Sequence, residues 1–273
     1  MPNKLKIICF NVNGIRARID QISEVLIQHQ PDIIGLQETK VCDEEFPFEA
    51  IKGLGYDAHI YGQKGHYGVA FLTKITPVSV QCGFPLDPED SQRRMIHAQF
   101  DVNGETLHII NGYFPQGEGR AHPTKFPAKQ KFYADLVNYL NTTFTADDAV
   151  IVMGDMNVAH KDIDVGIKPE NALRWLKTGK SAFLPEEREW LQSLLDWGLV
   201  DSYRYNNPED DTYSWFDYRS RGFDQDPKIG LRIDLILASP SAMTLCRGTG
   251  IDIEARGHEK PSDHCPIWLD IKI

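Results

Sequence analysis

Ala149-Val150-Ile151-Val152-Met153-Gly154-Asp155-Met156-Asn157 is an apolar run that stops abruptly at glycine and two polar side chains. Strand-compatible residues closed by Gly predict a buried β-strand over 149–153. Side chains alternate along a strand, so Asp155 and Asn157 share one face while Met156 turns back into the core. A carboxylate beside a carboxamide at a strand's end suits a metal ion and an attacking water. The same residues also make an ordinary Asx turn. The choice between the two depends on the rest of the chain.

Outward from this run, strands are predicted over 5–12, 32–37, 68–73, 78–83, 95–102 and 106–111. Beyond it they are predicted over 213–217, 232–238, 250–255 and 266–273. Helical spacing places Ile19, Ile22, Val25 and Leu26 on one face of 17–30, and Phe132, Leu136, Tyr139 and Leu140 on one face of 126–141. A third helix opens at Pro185-Glu186-Glu187, buries Trp190, Leu191, Leu194 and Leu195, and ends at Gly198. Many strands, hairpin turns such as Asn103-Gly104 and few helices imply two sheets packed together with helices outside. Asn11-Val12-Asn13 and Asp155-Met156-Asn157 each end a buried strand, which hints at an internal duplication.

The 273 residues are 41% hydrophobic, 25% charged and 10% aromatic, a globular composition with no low-complexity linker, and one domain over 1–273 is expected. The apolar stretch before Asn11 is too short for a signal peptide, and nowhere do about 18 apolar residues follow one another, so no membrane span is expected. The 5 cysteines are scattered and never form a C-x-x-C pair, which argues against disulfides or zinc and fits the cytoplasm. A formal charge of −10 argues, on balance alone, against a nucleic-acid partner. A metal site gathers carboxylates, however, and DNA needs only one basic face.

Other strand ends carry polar groups too. Asn11 and Asn13 end the first strand, Glu38 follows Ile33-Ile34-Gly35-Leu36-Gln37, and Tyr113 follows Ile109-Ile110-Asn111-Gly112. Asp234 interrupts the apolar run Ile233-Asp234-Leu235-Ile236-Leu237 and so requires a partner. Asp263-His264 offers one, because a carboxylate orients an imidazole and favours its charged form. Turn formation accounts for each segment singly, but not for the recurrence of Asn, Glu, Tyr, Asp and His at strand ends, where a rigid backbone fixes side chains.

Taken in order, Phe10-Asn11-Val12-Asn13-Gly14-Ile15-Arg16, Leu36-Gln37-Glu38-Thr39-Lys40, Asn111-Gly112-Tyr113-Phe114-Pro115-Gln116-Gly117, Met153-Gly154-Asp155-Met156-Asn157, Ser214-Trp215-Phe216-Asp217-Tyr218-Arg219, Leu231-Arg232-Ile233-Asp234 and Lys260-Pro261-Ser262-Asp263-His264 resemble the exonuclease III-type apurinic/apyrimidinic endonucleases, within the endonuclease/exonuclease/phosphatase superfamily. The resemblance implies an α/β four-layer sandwich of two packed mixed β-sheets flanked by helices. It also implies an Mg²⁺- or Mn²⁺-dependent phosphodiesterase acting on double-stranded DNA with abasic sites, nicks or blocked 3′ ends. The implied activities are a 3′→5′ exonuclease releasing 5′-mononucleotides, incision 5′ to abasic sites, and removal of 3′-phosphates and other 3′ blocks. The implied metal set is Glu38, Asn11, Asp155, Asn157, Asp263 and His264. Asp155 acts on the water with Asn157 in support, Tyr113 and His264 contact the phosphate, and Asp234 orients His264. Hard oxygen donors without a cysteine cage agree with Mg²⁺ or Mn²⁺.

For DNA, the expected contacts are Arg94, Gln116, Lys125, Trp215, Phe216, Arg219 and Leu231, with Trp215, Phe216 and Leu231 forming an apolar pocket for a base-less sugar. Arg93, Lys129, Lys131 and Arg232 are read as part of the same basic face, and so are Arg174, Lys177 and Lys180 around Trp175. Nothing in the sequence demands more than a monomer. Two rivals are a superfamily hydrolase of inositol phosphates or sphingomyelin, and a DNA-end-binding protein with a dead site.

Overall fold

A computed structural model describes residues 4–145 and 147–272; the end of the last predicted strand, Ile273, lies outside them. In chain order the strands are β1 (Lys4–Asn11), β2 (Ile33–Gln37), β3 (Asp57–Tyr61), β4 (Val69–Thr73), β5 (Ser79–Cys82), β6 (Met95–Val102), β7 (Glu105–Tyr113), β8 (Ala149–Asp155), β9 (Val200–Asp201), β10 (Asp234–Ala238), β11 (Cys246–Ile251) and β12 (Ile267–Lys272). The helices are α1 (Ile19–His29), α2 (Phe48–Gly53), α3 (Lys125–Thr143), α4 (Pro169–Thr178), α5 (Pro185–Asp196), α6 (Ser202–Asn206) and α7 (Pro240–Leu245). The strands form two six-stranded sheets, ordered β11-β12-β1-β2-β4-β3 and β5-β6-β7-β8-β10-β9.

Alternation along the strands builds the layers. In β1, Ile7 and Cys9 face the other sheet, whereas Ile8 and Phe10 face α1 with its buried Ile22, Val25 and Leu26. In β8, Ile151 and Met153 face inward, and Val150 and Val152 pack under Phe132 and Leu136 of α3 and Leu191 and Leu194 of α5. Both faces are thus apolar, which explains the continuous apolar runs. Each such side chain contributes about 1.5–3 kcal/mol by leaving water. The result is helix, sheet, sheet, helix. A Cβ at Gly35 of β2 would collide with Met153 and Asn111 of the facing sheet, so glycine is what lets the sheets pack there. Asn111 staples them: its amide donates to the carbonyls of Leu36 and Ala70, each at 3.0 Å, and its oxygen accepts from Gln37 at 2.6 Å.

Topology carries the duplication, but not through the pair of motifs expected. Strands β1 and β2 are parallel and joined by α1; β7 and β8 are parallel and joined by α3. Each second strand is followed by an antiparallel pair placed outermost strand first, β3 then β4 and β9 then β10. The last rungs of the parallel pairs are Asn11–Gln37 and Tyr113–Asp155. Asn11 therefore corresponds to Tyr113, and the counterpart of Asp155 is the Gln37-Glu38 end of β2.

Residues 213–217 are not a strand: Trp215 makes single bridges to Leu231 and His264, and the hydroxyl of Ser214 takes over backbone donors at Ile233 and Asp234. The strand expected over 250–255 runs from Cys246 to Ile251, and Asp234 opens β10 rather than interrupting it.

Candidate active site

One edge of the sandwich collects the polar strand ends. Tyr113, Asp155 and Asp234 are successive partners across β7, β8 and β10, so they stand side by side on one rung. Gly112 and Gly154 pair one rung below, and a Cβ at Gly154 would run into the Gly112 carbonyl, which accounts for the glycine that closes the apolar run. From the facing sheet, Asn11 ends β1 and Glu38 follows β2 in a left-handed conformation, φ 54°. The Asn11 amide donates to Glu38 Oε1 and Asp155 Oδ2, both at 2.9 Å, and so ties the two sheets' carboxylates together.

Ligand atoms of Glu38, Asp155 and His264 lie within 4.8 Å of one another. His264 donates from Nδ1 to Asp234 (2.9 Å to Oδ2), while its Nε2 lies 3.7 Å from Asp155 Oδ2. Ser214 donates to Asp234 Oδ2 at 2.7 Å and holds it in turn. The Asp155-Met156-Asn157 segment is an Asx turn, Asp155 Oδ1 accepting from the Asn157 N–H at 3.0 Å, and its polar side chains also line the cleft. The Asn157 amide donates to the Phe114 carbonyl at 3.0 Å.

Burial dominates the electrostatics. It pushes the Asp155 carboxyl up to about 8, opposed by His264 and reinforced by Asp234 and Glu38. Burial also works against a charged His264, but Asp234, Asp155 and Asp263 outweigh it and raise the imidazole to about 10. For Glu38 the burial penalty is overcome by Lys40, whose Nζ is 2.7 Å from Oε2, and by Asn11, so its carboxyl is held below the ordinary value. Burial, with Glu38 and Asp155 beside it, drives the Tyr113 phenol well above its usual range. It is therefore a neutral donor near neutral pH.

A cleft of about 270 Å³ opens over these groups, walled by Trp215, Leu231, Ile233 and Trp175, with Gln116, Lys180 and Arg219 at its polar rim. A second cavity of about 340 Å³ shares Tyr113 and Gln116 and carries Arg94 and Lys125. Several expectations need correction. Phe216 is wholly buried and packs edge-on against Phe223, because its neighbour Trp215 takes the cleft-facing side; Ile233 and Trp175 complete the apolar wall instead. Arg232 is internal, paired with Asp164 and Asp201, and Lys129 is internal, paired with Glu187. Arg94 packs against the rings of Tyr67 and Tyr113 and still lines the second cavity, so its expected place beside the cleft is not overturned. The Asn11 amide bridges the two carboxylates, and its side-chain oxygen accepts from the Asn13 N–H at 3.0 Å. Asp263 accepts from Asn13 at 2.8 Å and from the Trp215 indole at 3.0 Å, outside the three-residue cluster.

Sequence reasoning missed Lys40 and Ser214. Lys40 is two residues beyond Glu38, a spacing that could have placed it on the same face; nothing in the sequence marked Ser214. The donor set fits a hard divalent cation. Glu38, Asp155, Asp234 and Asp263 bring four carboxylates together, and among the described residues Lys40 and His264 are the cations paired with them, a surplus of negative charge presented through oxygens.

Residues 8–264 match the Endonuclease/Exonuclease/phosphatase family. Exodeoxyribonuclease III of Haemophilus influenzae is 54% identical over 269 residues, spanning 98% of this chain and 100% of its own. An AP endonuclease from Archaeoglobus fulgidus superposes with a TM-score of 0.89 at 34% identity, covering 98% of this chain and 100% of that one. A 3′ phosphatase from Neisseria, solved with a product DNA hairpin, superposes at 0.88 with 36% identity over the same shares.

Proposed function

The chain belongs to the endonuclease/exonuclease/phosphatase family, and we propose that the strand-end cleft is where it hydrolyses phosphodiesters. It is a DNA-repair nuclease of the exonuclease III type, combining 3′→5′ exonuclease, abasic-site endonuclease and 3′-phosphatase activities. The observation that carries the site assignment is the convergence of Glu38, Asp155 and His264 from both sheets to within 4.8 Å.

Glu38 and Asp155, with Asn157 and His264 at the margin, are the residues that would hold Mg²⁺ or Mn²⁺, which would supply charge neutralisation at the phosphate. Asp155 accepts a proton from the attacking water; burial raises its carboxyl to about 8, and His264 beside it, with any cation bound at Glu38, would favour the carboxylate that does so. Asn157 holds the water's line of approach. His264, kept charged by Asp234, donates from Nε2 to a phosphate oxygen, and Tyr113 donates its phenolic proton to another. Trp215, Leu231 and Ile233 receive the sugar on the 3′ side of the cut bond, and Gln116, Lys125, Lys180 and Arg219 follow the DNA backbone.

We read residues 1–273 as one domain working as a monomer in the cytoplasm; no described helix is long and apolar enough to cross a membrane. Abasic and nicked duplexes, inositol phosphates and sphingomyelin, incubated in parallel with Mg²⁺, test the reading. Turnover is expected on the duplexes alone. Preferential turnover of either small phosphoester would return the site to the superfamily's other branch, and a gel shift without turnover would make the chain an end-binding protein.

A further inference from the structure

Lys129 and Glu187 hold opposite charges where solvent does not reach, both side chains being 0% exposed. Lys129 lies in the first turns of α3, beneath the loops that follow β7 and β8. An ammonium has three donors, and these meet Glu187 Oε1 at 2.5 Å, the Asn157 carbonyl at 2.8 Å and, more loosely, the Gln116 carbonyl at 3.4 Å. The other oxygen of Glu187 accepts from the Leu184 N–H at 2.9 Å and caps α5. On the same face of α3, at the i+4 position, buried Tyr133 donates its hydroxyl to the Met156 carbonyl at 2.7 Å. One helix thus grips two successive peptide groups where the chain turns left-handed at Asn157, φ 53°. A backbone in that region persists only when its surroundings hold it.

A buried ion pair is a weak source of stability, because apolar side chains of similar volume commonly serve as well or better. What this pair supplies is the placement of the Asn157 peptide, and with it the direction in which the carboxamide enters the cleft. We propose that Lys129 and Tyr133 are positioning residues: α3 fixes Asn157 through the Met156 carbonyl, held by Tyr133, and the Asn157 carbonyl, held by Lys129, whose ammonium Glu187 keeps in place. The proposal rests on the reading of Asn157 as a support for the attacking water.

Lys129→Met combined with Glu187→Met removes the charge pair together and both carbonyl contacts of Lys129. The expected protein is folded, with a melting temperature within about 5 °C of wild type. Its KM for abasic duplex should stay within about twofold while kcat falls at least about tenfold, as for a misplaced reacting group. Tyr133→Phe loses only the Met156 contact and should also lower kcat at constant KM, by a smaller factor. Wild-type kcat in the folded double variant overturns the proposal, and if that variant does not fold, wild-type kcat in Tyr133→Phe does so. Asn157→Ala separates this from the reading beneath it. Wild-type kcat there removes the role of Asn157 itself, whereas a slow Asn157→Ala beside a fast double variant removes only the role of α3.

Discussion

Asp155 is pulled in two directions: burial favours its protonated form, and His264 beside it favours the carboxylate. Asp155→Asn keeps the shape and the Asx turn but cannot accept a proton, so kcat on abasic duplex should fall by at least about 10²-fold with DNA binding retained. Single-turnover cleavage with a parallel gel shift measures both. The same raised values set a pH dependence of stability in chelator. Burial raises the Asp155 carboxyl from an ordinary 3.8 to about 8, so the folded chain binds the proton more tightly and this contribution to stability falls as pH rises between those values. His264, raised from 6.5 to about 10, contributes stability that is complete below 6.5 and is lost as pH climbs toward 10. In EDTA, wild type should therefore lose melting temperature relative to Asp155→Asn as pH rises from about 4 to about 8. A difference between the two that does not change with pH would contradict the buried, charge-coupled site. Most of these residues could be read from the sequence because each ends or opens an apolar run. Lys40 and Ser214 act through a neighbour rather than a pattern, and so passed unnoticed.

Elements supply the walls. Asn111 in β7 reaches across to the other sheet, so Asn111→Ala would leave Gln37 and the Leu36 and Ala70 carbonyls each one hydrogen bond short. A loss of about 2–3 kcal/mol in denaturant unfolding is expected; an unchanged midpoint would mean that the sheets do not depend on this staple. Trp215 faces the cleft from a loop, its indole N–H on Asp263. Trp215→Ala should strongly lower abasic incision and exonuclease action, which both seat a sugar there, and lower 3′-phosphate removal much less. Comparing the three rates checks this, with Trp215→Phe separating the ring from its hydrogen bond; an equal fall in all three would make Trp215 a general DNA contact. This loop shows where sequence reading failed. Tyr213-Ser214-Trp215-Phe216-Asp217 alternates like a strand, but its backbone is held by single bridges and by the Ser214 hydroxyl, long-range contacts that periodicity does not encode. The strand β3, Asp57–Tyr61, was hidden for the opposite reason: it is a half-exposed edge, and its mixed polarity left no apolar run to find.

Across the whole molecule, charge is sorted rather than spread. The chain carries −10 overall, yet Lys180 and Arg219 rim the acidic cleft, and Lys125 lines the cavity beside it. Counting basic residues along the sequence overstated that rim, since Arg232 and Lys129 are drawn inside by Asp164 and Glu187. Two sheets of matching topology, each ending a parallel pair at the same edge, bring Glu38 from one and Asp155 from the other to a common point. Carboxylates so gathered repel a phosphate unless a cation reverses the local sign. The most direct test is abasic-duplex incision by the purified chain in Mg²⁺, in Mn²⁺ and in EDTA, followed by readdition of metal to the chelated sample. Incision with either metal, none in EDTA and recovery on readdition is the predicted result. Undiminished incision in EDTA would contradict the assignment of Glu38 and Asp155 as the heart of a metal-dependent nuclease.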